Sequence, residues 1–206
     1  ALTTIDGNGL GAGCITFPAA GKVITIRGFT IKSGSTIILG GGIYCSNSSA
    51  TIERCVIESS YSPWYGGGIA ITNASPTIRN VIFRSNQTDH DGGGLFLSAS
   101  SSVVDSCIFH DCAAAVSGGA IAMINSTPQL RNCTMYHNSA GAKGGGVYVG
   151  IGGNPALARC VIASATAGGG VYVETTAVGA TVACCDVVGN AGGEYAGSIS
   201  DQTGLN

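Results

Sequence analysis

The three histidines of the chain sit among aspartates: His90 lies between Asp89 and Asp91, His110 precedes Asp111, and His137 follows downstream. Imidazole and carboxylate groups held together suit general acid–base chemistry or a divalent metal, with Asp89 and Asp91 the candidate metal ligands. The same residue types suit a hydrated corner of polar turns equally well. A second chemical group is aromatic: Tyr44, Phe96, Tyr148 and Tyr172 could stack on sugar rings or pack against a partner. The third is thiol, nine cysteines with no Cys-x-x-Cys or Cys/His spacing that would hold zinc. Which of these groups can meet depends on the elements that carry them.

Those elements repeat. Gly40-Gly41-Gly42, Gly66-Gly67-Gly68, Gly92-Gly93-Gly94, Gly118-Gly119-Ala120 and Gly144-Gly145-Gly146 recur every 26 residues, and Gly168-Gly169-Gly170 follows after 24. With the first glycine as position 1, positions 4 and 6 are apolar in every repeat, from Ile43 and Cys45 through Leu95 and Leu97 to Val171 and Val173. Extending that register back one repeat assigns Phe17, Pro18 and Ala19 to positions 4, 5 and 6. Position 13 (Ile26, Ile52, Ile78, Val104, Leu130) and position 18 (Ile31, Ile57, Phe83, Phe109, Met135) make further apolar columns. Alternation with period two marks short strands with one face inward, so each repeat is one coil with about three short strands. No repeat holds an uninterrupted helical pattern, and the glycine triplets would break one.

The architecture this predicts is all-β: a single parallel β-solenoid domain over 1–206, about eight coils of about 26 residues, with a partial coil at 1–13, regular coils over 14–190 and a partial coil at 191–206. Parallel crossovers favour the right-handed form. Stacked coils are about 4.8 Å apart, which would bring several of Asp89, His90, Asp91, His110, Asp111 and His137 within about 5–10 Å of one another. Cys55, Cys107, Cys133, Cys160 and Cys185 share inward position 16 and are expected to pack as a ladder of small, free-thiol apolar groups. Asn8, Asn86, Asn138 and Asn190 share position 21, where inward amides could bond to the coils above and below.

Gly118-Gly119-Ala120-Ile121 and Phe83-Arg84-Ser85-Asn86 are similar to the GGA(I/L/V) and FxxN repeats of chlamydial polymorphic outer-membrane proteins. More broadly the chain resembles the pectate-lyase-like right-handed β-helix superfamily over nearly its whole length. The resemblance implies the fold strongly and the function weakly, because that superfamily includes lyases, hydrolases, adhesins, tailspikes and passenger domains. Its pectate-lyase-like enzymes use an acidic calcium cluster and a basic residue in a groove walled by long loops, and its polygalacturonases use several aspartates and a Gly-His-Gly motif. This sequence has neither a Gly-His-Gly nor a long loop insertion.

Outward columns suggest contacts. Position 14 alternates in charge (Arg27, Glu53, Arg79, Asp105, Arg131), which stabilises one register over slipped ones. Position 5 carries Tyr44, Phe96, Tyr148 and Tyr172, and position 17 carries Val56, Ile82, Ile108 and Val161, two stripes that read as partner surface, sugar platform or plain strand propensity. Asn47, Asn73, Asn86, Asn125 and Asn132 each begin an N-x-S/T sequon.

With 9 Lys+Arg against 11 Asp+Glu, no basic excess favours nucleic acid, and no apolar run approaches the roughly 20 residues of a membrane helix. The start at Ala1 fits a removed secretion signal, hence an extracellular or cell-surface location. The length equals eight turns, so the two ends are expected to be complementary and to stack head to tail. These features predict a non-enzymatic extracellular structural protein without a cofactor, partnered by itself in a filament, surface fibre or adhesin. The alternative is a carbohydrate-binding or polysaccharide-cleaving β-helix with a glycan partner.

Overall fold

In the coil that follows Gly66-Gly67-Gly68 the chain forms four strands, Ile69–Thr72, Thr77–Arg79, Ile82–Arg84 and Gln87–Thr88, before the next triplet begins. Each pairs in parallel with its counterpart one coil later, Leu95 on Ile69, Val104 on Ile78, Phe109 on Phe83 and Ala113 on Gln87, always 26 residues apart. The computed structural model describes residues 3–8, 11, 13–17 and 23–198. Over them the coils build a parallel β-solenoid of about seven turns, with sheets of eight, seven and eight strands and a fourth sheet of four two-residue strands. That fourth sheet adds to the three strands expected per coil. Its inward residues, Ser62, Thr88, Ala114 and Ala140, are all small and buried.

Between strands the chain turns at single residues with left-handed backbone. These fall at position 1 (Gly66, φ 68°), position 8 (Asn73, φ 50°), position 15 (Asn80, φ 52°) and position 20 (Ser85, φ 53°), and recur from coil to coil. At each such corner the backbone N–H continues the axial ladder: Asn73 donates to the Ser98 carbonyl, Asn80 to Asp105 and Ser85 to His110, at 3.0–3.1 Å. The corners therefore pair their backbone donors as the strands do. The triplet is where glycine is required. A Cβ on Gly66 would lie 2.4 Å from the Ile69 carbonyl oxygen, and one on Gly67 would lie 2.2 Å from the Gln87 carbonyl oxygen.

The inward columns form one continuous core. Ile52, Ile57, Ile69, Ile71, Ile78, Phe83, Leu95, Leu97 and Phe109 are wholly buried, and Phe83 stacks on Phe109 with centroids 4.3 Å apart. Cys55, Cys107, Cys133, Cys160 and Cys185 are buried and all nine cysteines are free. Each position-16 thiol donates across the corner to the carbonyl two residues back, as Cys133 does to Arg131 at 3.1 Å. Val81 fills the same place in another coil, so shape decides the column. Hydrogen bonding to the thiol one coil back, together with burial, pushes Cys133 and Cys160 up to about 12. Burial does the same for Cys112.

Three expectations need correction. Ile15 pairs with Ile43 and Phe17 with Cys45, so Phe17 stands at position 6 rather than 4, and Pro18 and Ala19 lie outside the described residues. The first coil lacks a triplet, and the segment between Phe17 and the strand Val23–Arg27 is two residues longer than its counterpart one coil later. Asn8 is exposed, with its N–H on the Asp6 carboxylate at 3.2 Å. At Gly7 beside it, the Cys14 thiol and the Gly34 backbone fill the interior space. The position-21 asparagines do not stack on one another. Asn86, Asn138 and Asn190 alternate with Ser60, Cys112 and Ala165, and each bonds to the coil behind it: Asn86 accepts from the Ser60 N–H at 3.1 Å and donates to the Ile57 carbonyl at 2.9 Å, and it alone of the three also reaches forward, to the Cys112 thiol at 4.0 Å. Asn138 and Asn190 repeat those two bonds. A buried Asn86 cannot serve as a folded-state glycan acceptor, and Asn47, Asn73, Asn125 and Asn132 are left-handed corner residues, which accounts for those sequons structurally.

Ala99 occupies the position-8 corner at φ 50°, where neighbouring coils have Asn73 and Asn125. Relief of roughly 1 kcal/mol of left-handed strain should raise Tm by about 2–4 °C in Ala99→Asn, read by calorimetry. An unchanged or lowered Tm would show that this corner is not strained. In the native protein, Cys184 is exposed and should react first with a thiol reagent, Cys14 more slowly, and the remaining cysteines only after unfolding. Mass spectrometry of partly labelled protein reads the order.

Candidate functional site

The residues with chemical potential gather along the edge where the short fourth sheet meets the next glycine triplet. Leu39, Tyr65, Asp91, Ser117 and Lys143, each immediately before a triplet, stack through single parallel bridges. His90 Nδ1 lies 2.9 Å from the Asp91 carboxylate, whose other oxygen accepts the Ser117 N–H at 2.9 Å. Asp91 is thereby fixed in a nearly buried place, its side chain 8% exposed, while His90 remains 38% exposed. The contact between Nδ1 and the Asp91 carboxylate fixes the orientation of the partly exposed His90 ring. The His90 ring leans on Tyr65 (4.6 Å), and Tyr65 stacks on Phe96 (4.4 Å, 24°).

Farther along the same edge, Lys143 Nζ pairs with Glu174 at 2.7 Å and lies 4.5 Å over the Tyr172 ring. The Tyr148 hydroxyl donates to the same Glu174 oxygen at 3.1 Å. Burial and the neighbouring Glu174 charge push the Tyr148 phenol up to about 12, and the hydrogen bond from Lys143 holds the Glu174 carboxyl below its ordinary range. Tyr65, Lys143 and Glu174 were not singled out from the sequence. The signal was there, since each of the first two precedes a triplet by one residue.

The remaining candidates go elsewhere. Asp89 accepts from the Tyr61 hydroxyl. His110 bonds to Asp111 at 2.8 Å and stacks flat on Tyr136, with His137 edge-on to the same ring. Asp111 and His137 are position-20 corners with φ 55° and 54°. The six His/Asp residues are thus divided among three sets of partners, and among the described residues no three His, Cys, Asp or Glu side chains come together in a way that could hold a metal ion. A shallow, open depression of about 270 Å³, lined by Ser59, Ser60, Tyr61, Ser85 and Gln87, lies beside Asp89's partner Tyr61.

A family model described as a right-handed β-helix region matches residues 13–187. The chain belongs to the right-handed β-helix family. No curated protein and no solved structure matches it.

On this β-helix the expected aromatic stripe at position 5 is largely self-covered. Phe96 is 4% exposed, Tyr44 reaches Thr72 at 3.1 Å, and Tyr148 and Tyr172 lie against each other at 6.1 Å. Ala70 and Ala122 alternate with the rings and are fully buried beneath them, so large and small side chains interdigitate along the axis. At position 17, Val56 and Ile82 are half-buried, while Ile108 and Val161 are exposed. A column the sequence reading overlooked stands out at position 25: Ile38, Trp64 and Val116 are exposed, with His90 among them. In the position-14 ladder, Arg27 and Glu53 close to 3.3 Å, and among the described residues no other pair of that column does, since Asp105 instead accepts from Asn132 and Ser106.

The depressed Glu174 carboxyl makes the Lys143 pair a pH-dependent lock. Its contribution is complete above the ordinary glutamate range and is lost as pH falls through the lowered value. Because both groups are partly solvated, the contribution is about 1 kcal/mol or less. Glu174→Gln should therefore lower Tm by up to a few degrees at neutral pH, and the difference from wild type should shrink below about pH 4. A difference that stays constant down to pH 2–3 on the same scale would show that packing, and not charge, carries the effect.

Proposed function

We propose that this β-helix is a non-catalytic structural rod that stacks end to end into an extracellular filament or surface fibre. One observation carries the reading. Every coil pairs in parallel with the one before in the three long sheets, so the strands Thr3–Asp6, Ile15–Phe17 and Val23–Arg27 at one end match in direction the strands Thr181–Ala183, Asp186–Val188 and Tyr195–Gly197 at the other. A second copy can add as a further coil adds, and such a contact is heterologous and does not close into a ring. Among the described residues the near-constant coil leaves no long loop to wall a cleft, which supports a structural role over a catalytic one.

Glycan binding or cleavage is a second reading, favoured by the half-exposed Trp64 indole one coil from the His90–Asp91 pair, since an exposed ring face suits a sugar. Electron microscopy of purified protein over a concentration series should show rods of constant width that lengthen. Monomers alone, across salt conditions and at high concentration, would overturn the filament. Unsaturated products from uronate polymers, lost in His90→Ala, would move the assignment to the glycan enzyme.

A further inference from the structure

The outward face of the sheet that runs from Thr3–Asp6 to Asp186–Val188 has two axial columns. One is a rail of β-branched side chains, Thr4, Thr30, Val56, Ile82, Ile108 and Thr134 on successive coils, with Ile108 37% exposed. Beside it, two residues on along each strand, runs a charge column: Asp6, Lys32, Glu58 and Arg84, then His110 and Tyr136. Asp6 pairs with Lys32 at 3.1 Å and Glu58 with Arg84. A single line of alternating sign next to an apolar rail has a symmetry property. Reversed end for end, it presents plus where it presented minus.

We propose that this face pairs with the same face of a second copy of the chain, running antiparallel about a two-fold axis between the levels of Glu58 and Arg84. Val56 of one copy then meets Ile82 of the other, Thr30 meets Ile108, and Thr4 meets Thr134. Glu58 of each copy faces Arg84 of the other, so the two existing ion pairs merge into a four-charge network on the axis, a stronger arrangement than isolated exposed pairs. At the neighbouring corner Arg54 faces Asn80, without like-charge contact. A parallel copy would swing the charge column to the far side of the rail, where Lys32 and Arg84 meet Gly28 and Asn80 and find no acid, and Glu58 alone gains an opposite charge, Arg54, so the four-charge network is not formed.

The paired strip spans six coil levels, roughly 25 Å at about 4.8 Å per coil. A strip this short and two columns wide falls below the roughly 800 Å² per partner of stable complexes, so a single pair is weak. Rods that display many such strips would bind side by side through avidity. Pairing uses the flank and end-to-end stacking uses the strand edges, so either can fail without the other.

Sedimentation velocity of the full chain, up to the millimolar range, separates the two modes: lateral pairs saturate at twice the monomer mass, whereas stacks keep growing. Glu58→Arg and Arg84→Glu should each abolish the saturating dimer, because each puts four like charges on the axis. An equimolar mixture of those two variants should restore it, since each then supplies the charge that the other lacks. Circular dichroism confirms that both variants are folded. The mixture is the decisive arm, because an effect confined to the intramolecular Glu58–Arg84 pair cannot be rescued by mixing. Wild type without a saturating dimer, or a mixture that stays monomeric, overturns the proposal. Neither result bears on rods that lengthen.

Discussion

Each coil gives backbone N–H groups to the carbonyls of the next, and it does so at the corners as well as along the strands. That ladder is the constraint on which the rest depends. An axial bond at a corner requires the chain to turn within one residue, and a one-residue turn requires left-handed backbone. Among the described residues sixteen non-glycine residues adopt it, most of them Asn, Ser, Asp, Arg or His, the rest Ala99 and Cys184. Asn and Asp tolerate that conformation best, which is why corners of this chain look like candidate active sites and glycan acceptors when read as sequence. Asp111 and His137 are there because they turn the chain, and the backbone ladder accounts for their spacing without a catalytic role.

The same constraint decides what the sequence could reveal. Inward columns were legible because a side chain caught between two coils has one neighbour above and one below at fixed spacing, so its size is restricted in every repeat. Position 16 shows this well, since Cys107, Cys133 and Val81 share little chemistry but have similar bulk. The first coil was misregistered by two residues because the triplet that anchors the count is missing there, and Gly13 alone does not mark a corner. The fourth sheet was missed because two residues are too short to show alternation. The alternation of Asn86, Asn138 and Asn190 with small residues was visible in the column, but an asparagine amide that bonds backward by one coil needs the empty space left by Ser60 or Cys112, and that is a property of the stack.

The candidate site was the least legible part. Most of its contacts join residues 24 to 31 apart, such as Tyr148 to Tyr172 and Lys143 to Glu174, and they depend on which way a side chain leans off a corner. Counting places residues at the same height but does not tell whether they lean together. His90 and His110 illustrate the difference. Each bonds to the aspartate that follows it, yet one rests on Tyr65 one coil back and the other on Tyr136 one coil forward. Proximity by level therefore placed these residues along one edge but did not show that they divide among three sets of partners.

A surface generated by a repeat differs in kind from a surface built around a pocket. Whatever one coil displays, its neighbours display again about 4.8 Å away, so weak contacts come in rows. Along position 5 the chain has neutralised its own row by alternating rings with alanines, leaving Phe96 covered and Tyr148 tied to Glu174. Along position 17 it has not, because β-branched side chains are too short to lie across their neighbours and remain upright on the sheet. The free energy available to such a face grows with the number of coils, not with the chemistry of any one residue. A long rod can therefore be held by contacts that would be negligible between single globular domains, and alternating charge fixes its orientation at little cost in stability. In the proposed lateral pairing, length and periodicity would take the place that a deep cleft has in a globular binding site.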